Sequence, residues 1–469
     1  MKKILAMMFS FLAVGALVIW GLGKLADITE RKDSKSKFHD FYCQEEDYDV
    51  LFLGSSHVLN GIFPMELWRD YGIVSYNMAG HGNRMAMNYW ILKNALEYTT
   101  PKVVVVDCYM LGRNEKRGTI DQLHMSTDHI PYSETKVEMI QDLVEDEEQQ
   151  KDFLWKFNLY HNRWSELVTK DFNREYSLEK GAESRTRVAK PKEVEAQDES
   201  LELEEKTVGM DYLGKIIELC KEQKIQVLLT YLPFTGNKGW QSEVNAAGDI
   251  AKKYKVDYLD FYTLLEQINV NTDFYDETHM NPSGARKITD YLGEYLMVEY
   301  DIDDQSDNEA YEHWYQDYET YTALKHENIR NEKELKNYLM LLNDKNLSYG
   351  VYLKWELDLE EYPLIKELLL AMDIDREQVK EEGKLFVFLD RVNEEYSMIT
   401  DFEEMDTYFG NFELLYNDDG EMEVIHEDKN RMRITQNDIA VFVFDNDSME
   451  LVDKVKFKFE NQTESIERD

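Results

Sequence analysis

Between residues 49 and 261 the chain repeatedly sets a short, mostly apolar run before a longer amphipathic one, and this alternation restricts the fold more than any other feature. The runs are Asp49–Gly54 (DVLFLG), Ile73–Met78 (IVSYNM), Lys102–Met110 (KVVVVDCYM), Ile225–Pro233 (IQVLLTYLP) and Val256–Phe261 (VDYLDF). They are short and nearly unbroken in hydrophobicity, so they read as strands covered on both faces. Arg84–Tyr98, Met210–Gln223, Ser242–Tyr254 and Pro282–Leu296 carry helical spacing instead. Strand and helix in alternation predict an α/β unit with a mainly parallel sheet over residues 49–298. A charged, weakly hydrophobic stretch at 175–205 interrupts the pattern and reads as a mobile surface insertion.

The N-terminus adds a membrane element. Ile4–Gly23 holds no charged residue, and about 20 helical residues at 1.5 Å each match the roughly 30 Å of a bilayer core. Cleaved signal peptides carry a shorter apolar stretch and a small-residue cleavage site, so residues 1–25 read as an uncleaved single-pass anchor, with a polar stalk at 26–48. Lys24, Arg31, Lys32, Lys35 and Lys37 follow the span, against Lys2 and Lys3 before it. Taken alone, that bias would hold the following domain in the cytoplasm.

Past residue 298 the character changes. Residues 299–329 form an acidic, aromatic linker (YDIDDQSDNEAYEHWYQDYETY at its core) that reads as a connecting helix packed on one of the domains. Residues 330–460 show an α+β pattern: helices Glu332–Leu342 and Tyr362–Met372, strands Leu347–Trp355 and Lys384–Asp390, and a hairpin of Ile439–Phe444 with Leu451–Phe459. A tail, 461–469, closes the chain. With 53 Lys+Arg against 94 Asp+Glu, the net charge is −41, and about two thirds of the excess lies beyond residue 299. Such a surface repels phosphate backbones, which argues against a nucleic-acid partner. The three cysteines, Cys43, Cys108 and Cys220, are too few and too widely spaced for a disulfide framework or a thiolate metal site. No phosphate-binding loop, dinucleotide fingerprint or zinc spacing is present, so no cofactor or metal is expected.

Three short motifs carry chemistry. The first strand ends in Gly54-Ser55-Ser56-His57, a serine where open α/β sheets place their sites. The second run leads into Asn77-Met78-Ala79-Gly80-His81-Gly82-Asn83-Arg84, whose glycines let backbone amides approach a developing oxyanion. Near the end of the same unit stands Asp276-Glu277-Thr278-His279-Met280-Asn281-Pro282. A histidine there, with a carboxylate three residues earlier to fix its tautomer, suits a general base.

In this order the motifs resemble those of the SGNH (GDSL-type) hydrolase family. The resemblance spans residues 49–298 and implies a flavodoxin-like three-layer fold. It implies Ser56 as nucleophile, His279 as base, Asp276 as orienter, and the amides of Gly82 and Ser56 as oxyanion donors. His57, Asn83 and Arg84 fall near the implied pocket as substrate contacts. Two positions depart from the family pattern: Ser55 replaces the usual Asp, and Asp107-Cys108-Tyr109 stands where a Gly-x-Asn is expected.

These departures, together with the anchor, are similar to the branch that contains the teichoic-acid D-alanylation protein DltD and the alginate and peptidoglycan acetyltransferases. That similarity implies an extracytoplasmic domain on a bacterial cell membrane. It also implies a multi-spanning membrane O-acyltransferase (MBOAT-like) partner and a surface polysaccharide or teichoic-acid-like acceptor. The expected activity is acyl transfer or ester hydrolysis. The alternatives are a polysaccharide O-deacetylase with the same triad and a non-catalytic scaffold for the membrane acyltransferase. Residues 330–460 resemble an interleukin-like EMT inducer (ILEI) type domain through Leu335-Lys336-Asn337-Tyr338-Leu339, Tyr349–Trp355 and the run Ile439–Asp445.

Overall fold

The computed structural model describes residues 2–30, 37–44, 46–172, 177–189, 198, 200–203, 205–235, 238–262, 268–354, 365–366, 384–399, 404–416, 422–427, 429–434, 438–460 and 463–468. Two compact units divide the chain. The first takes Met1–Glu183, Val194–Leu265 and Ile288–Glu312, and the second Ser184–Glu193, Glu266–Lys287 and His313–Asp469.

The first unit opens with helix α1 (Lys2–Thr29) and a short helix α2 (Lys37–Cys43). Five strands follow in the chain: β1 (Val50–Leu53), β2 (Ser75–Asn77), β3 (Val103–Asp107), β4 (Gln226–Tyr231) and β5 (Asp257–Asp260). All pair in parallel, in the order β2-β1-β3-β4-β5. Leu51 lies between Tyr76 on one side and Val104 on the other. Every residue of β1, β2 and β3 is buried, as their apolar runs require. The connecting helices are α3 (Ser56–Gly61), α4 (Pro64–Tyr71), α5 (Met85–Ala95), α6 (Ile120–Thr127), α7 (Glu134–Leu143), α8 (Glu147–Leu154), α9 (Phe157–Tyr160), α10 (Thr169–Phe172), α11 (Val208–Glu222) and α12 (Gln241–Tyr254). Helix α13 (Pro282–Glu299) is divided, residues up to Lys287 counting with the second unit and those from Ile288 with the first. The strand order reverses between β1 and β3, the place where open α/β sheets set their sites.

Two segments behave differently from their sequence reading. Within the expected stalk, α2 buries Phe38, Phe41 and Tyr42. Phe41 stacks on Tyr48 at 5.3 Å and meets Tyr76 of β2 edge-on. Its aromatic content, not its charge, decides its fate. Within the expected mobile insertion, Lys180, Gly181 and Ala182 are buried, and Asn77 N donates to the Lys180 carbonyl at 3.0 Å. Gly181 has φ +88, and a Cβ there would lie 2.3 Å from the Asn77 carbonyl oxygen, so only glycine permits this approach.

The second unit contains α14 (Glu312–Asn331) and α15 (Leu335–Leu342), and it is otherwise built of antiparallel strands. These are β6 (Leu347–Lys354), β7 (Lys384–Asp390), β8 (Glu395–Ile399), β9 (Glu404–Thr407), β10 (Gly410–Tyr416), β11 (Met422–His426), β12 (Asn430–Ile434), β13 (Asp438–Asp445), β14 (Leu451–Glu460) and β15 (Thr463–Arg468). They form a six-stranded sheet, β15-β14-β13-β6-β7-β8, and a four-stranded sheet, β12-β11-β10-β9.

The two faces of the larger sheet serve two cores. Val351, Val387, Val441 and Val455 pack with Tyr338 and Leu342 of α15, while Tyr352, Phe386, Phe388 and Phe442 pack with Phe412, Val424 and Met432 of the smaller sheet. Burial on both faces explains the unbroken IAVFVF run of β13. The expected hairpin is present, with Ile439 opposite Phe457 and Val441 opposite Val455. This region is thus richer in strands than the α+β reading allowed, because β8–β12 were not anticipated, nor was β15, which pairs with β14 inside the expected tail. The expected helix Tyr362–Met372 lies outside the described residues apart from 365–366.

Candidate active site

In the first unit, the expected site residues begin after β1. Gly54 packs where a Cβ would come within 2.4 Å of Val58 Cγ2 and 3.2 Å of Asp107 Cβ, so the strand-to-helix turn needs glycine. Ser55 takes the N-cap of α3, its Oγ accepting from His57 N at 3.4 Å. The capping role thus falls to Ser55, and Ser56 occupies the first position of α3. From Leu51 to Asn60 every residue is buried except Ser56, which is partly open. His57 lies buried against Tyr109, ring on ring at 3.5 Å, and Tyr109 stacks in turn on Trp240 at 4.9 Å.

The glycine loop after β2 lies alongside this turn. Gly80 N donates to the Gly54 carbonyl at 3.4 Å. Gly82 adopts φ +66, left-handed backbone that favours glycine. Asn83 is wholly buried, its N–H on the Gly80 carbonyl and its Oδ1 accepting from Ser126 Oγ at 2.8 Å. Arg84 is partly open and donates to the Gly82 carbonyl at 3.3 Å.

Beneath the loop sits Lys37. Its ammonium donates to the carbonyls of Asn77 at 3.2 Å, Gly181 at 2.9 Å and Ala79. Burial pulls this amine down to about 7, against the opposing charge of Glu183. Asp107, at the end of β3, accepts from Leu232 N at 2.9 Å and Tyr109 N at 3.4 Å. Burial pushes its carboxyl up to about 7, although both N–H donors favour the charged form.

Asp276 and His279 belong to the second unit. A bridge between Phe274 and Met280 closes a tight loop, with Tyr275 N on the His279 carbonyl at 2.8 Å. His279 Nδ1 lies 2.9 Å from both oxygens of Asp276. Asp276 Oδ1 also accepts from Thr278 N at 2.8 Å and His279 N at 2.9 Å. Partial burial acts to raise the Asp276 carboxyl, but these donors outweigh it and hold it below the usual range. A charged Asp276 requires the proton of neutral His279 to sit on Nδ1, which leaves Nε2 as the acceptor.

The loop is itself tied down. Asn281 Nδ2 donates to the carbonyls of Thr272 at 2.6 Å and Arg187 at 3.1 Å, and its Oδ1 caps α13 through Ser283 N and Gly284 N. Ser283 Oγ donates to Asp273 at 2.6 Å and accepts from Asn343 Nδ2 at 2.7 Å. Close by, Asp344 is buried between Arg286 at 3.3 Å and Lys325 at 2.9 Å.

Among the expected site residues, Ser56, His57, Gly82, Asn83 and Arg84 belong to the first unit, and Asp276 and His279 to the second. Sequence reasoning did not single out Lys37, Trp240 or Asp344. Asp107 and Tyr109 entered it only as departures from a pattern, although an acid closing the run VVVV is itself a signal. No group of three or more His, Cys, Asp or Glu suited to a metal occurs among the described residues.

No protein-family model matches the chain, and no curated protein matches it. Among solved structures it is similar to a candidate acylhydrolase from Bacteroides fragilis NCTC 9343, at 11% identity and a TM-score of 0.28, over 55% of this chain and 92% of that one. A likeness that distant carries no argument here, and the chemistry rests on the chain's own geometry.

Proposed function

We propose that this protein is a membrane-anchored serine acyltransferase or esterase of SGNH type, with a flavodoxin-like catalytic domain on the outer face of a bacterial membrane. The observation that carries the reading is the Asp276–His279 pair, whose geometry leaves Nε2 as a proton acceptor. It is supported by a partly open Ser56 at the catalytic edge of a parallel sheet, beside a glycine loop. In the first step His279 Nε2 takes the Ser56 Oγ proton as Oγ bonds to the acyl carbon. The amides of Ser56 and Gly82 bind the resulting oxyanion. The C–O bond to the leaving alcohol then breaks, and His279 returns the proton to that oxygen. In the second step a sugar hydroxyl or water gives its proton to His279 and attacks the acyl-Ser56 carbon; the bond from that carbon to Ser56 Oγ breaks, and His279 returns the proton to Oγ.

A surface polysaccharide or teichoic-acid-like acceptor and an MBOAT-like partner belong to the same proposal, through the DltD-like branch. The second unit would then serve as an ILEI-like accessory domain. O-deacetylation would use the same residues, with water as acceptor. Tyr109 stands in register with the family's asparagine, so the side-chain amide that would donate to an oxyanion is missing there, which favours a further reading, a non-catalytic scaffold.

The test is intact-mass measurement of the full-length protein with an activated acetyl ester, beside Ser56→Ala and His279→Ala. The expected result is one acetyl group added to the wild type and to neither variant. Faster loss of the adduct with glycan acceptors than with water alone would identify transfer. Equal background in all three proteins would overturn the triad and leave the scaffold.

A further inference from the structure

Outside α1, the first unit exposes five large apolar side chains within one short stretch: Trp155, Leu159, Trp164, Val168 and Phe172, with Trp164 at 70% and Phe172 at 63%. Scattered exposed hydrophobics need no explanation, but a cluster that includes two tryptophans does. The stretch is also locally basic. Residues 155–172 hold Lys156, Arg163 and Lys170 against Glu166 and Asp171, in a chain of net charge −41.

This stretch is fastened to the end of α1. Arg163 Nη1 donates to the Thr29 carbonyl. Lys156 Nζ lies 3.2 Å from both oxygens of Glu30, and His129 Nδ1 lies 3.4 Å from Glu30 Oε1. Arg163 Nη2 also holds Asp171 at 3.1 Å, which accepts from Val168 N at 2.8 Å. Ala26, Thr29 and Glu30 are buried, so the end of α1 is built into the folded domain. The rest of the apolar span, residues 7–25, holds no buried residue. Thr29 stands three residues beyond Ala26, about 4.5 Å of helix rise. The groups clamped to Thr29 and Glu30 therefore sit at the depth where a bilayer's hydrocarbon gives way to headgroups, the level tryptophan and short amphipathic segments favour.

We propose that residues 155–172 form an interfacial collar around the exit of α1, which inserts Trp164, Phe172 and their apolar neighbours into the surface of the bilayer. The domain is thereby seated on the membrane. The ion pairs to Glu30 hold the collar in register with the span. The collar rests on the reading of α1 as a retained anchor but not on any role for Ser56.

The test uses the full-length protein with Cys43→Ser, reconstituted into phosphatidylcholine–phosphatidylglycerol vesicles. Nitroxide labels go singly on Trp164→Cys, Phe172→Cys, Gly15→Cys in the span and Lys252→Cys on an open helix face. Electron paramagnetic resonance reads collisions with oxygen and with a water-soluble nickel chelate. The expected result is an oxygen-to-nickel ratio at 164 and 172 several-fold above that at 252, approaching that at 15. Water-like ratios at 164 and 172 with a lipid-like ratio at 15 would overturn the collar and leave the anchor. Water-like ratios at all three would overturn both. Shielding of 164 and 172 from both reagents would show a second copy of the chain on this face and overturn the bilayer as its occupant.

Discussion

The Lys37 ammonium donates to the Gly181 carbonyl at 2.9 Å, across 144 residues of sequence, and to the Asn77 carbonyl at the start of the glycine loop. A side chain from the segment just after the apolar helix α1 thus holds the backbone from which Gly82 follows.

Lys37→Met should uncover this dependence. Each buried carbonyl left without a donor costs about 1–3 kcal/mol, so chemical unfolding should show a loss of at least about 2 kcal/mol. Acyl-Ser56 formation should slow through the rate constant more than through substrate affinity. The wild type adds a pH signature. With the folded amine near 7 and the unfolded amine at its ordinary 10.5, only the unfolded chain carries the proton between these values. Stability attributable to Lys37 therefore rises with pH from about 7 to about 10.5, and the wild-type minus variant difference should track that rise.

Asp107→Asn should act in the opposite sense. The Asp107 carboxyl is pushed from 3.8 to about 7 in the folded state, so its contribution is intact below about 4 and is lost as pH rises to about 7. Asparagine keeps an oxygen to accept from Leu232 N and carries no charge to bury. The variant should match the wild type in melting temperature near pH 4, exceed it progressively up to pH 7, and hold that lead above. An unchanged difference across this range would contradict the burial argument.

Asp276→Asn removes the acceptor that fixes Nδ1 as the protonated nitrogen of His279. The asparagine NH2 favours the other tautomer, which blocks Nε2. Acyl-enzyme formation should fall by about 10²–10⁴-fold at pH 7 with the fold intact. Stopped-flow release of the leaving alcohol and near-ultraviolet circular dichroism would measure the two separately.

Asp344→Asn breaks a buried cluster rather than a catalytic contact. Burial alone would raise the Asp344 carboxyl, but Arg286 and Lys325 hold it far below the carboxylate range. Removing the charge leaves two cations that are only 14% and 11% exposed, which costs about 3–5 kcal/mol. The wild-type contribution is complete above pH 4 and is lost only as acid protonates Asp344, so the loss in the variant should show fully at neutral pH in denaturant unfolding.

What the sequence determined by itself is what depends on near neighbours. Strands buried on both faces must be apolar residue by residue, so β1, β3 and β4 were visible as runs. Asp276 and His279 lie three residues apart in one loop, so their pairing was legible without any fold. The hairpin of β13 and β14 was visible for the same reason. Strands β10–β12 were missed because one of their faces is polar, and an alternation such as Arg431-Met432-Arg433-Ile434 is quiet beside the run in β13.

Only the tertiary structure decided that Lys37 is buried under the glycine loop, that Asp107 reaches Leu232 across 125 residues, and that Asp344 neutralises both Arg286 and Lys325. A charged residue in a sequence reads as solvent-facing, because its cost of burial is met by partners that only folding brings within 3 Å or so.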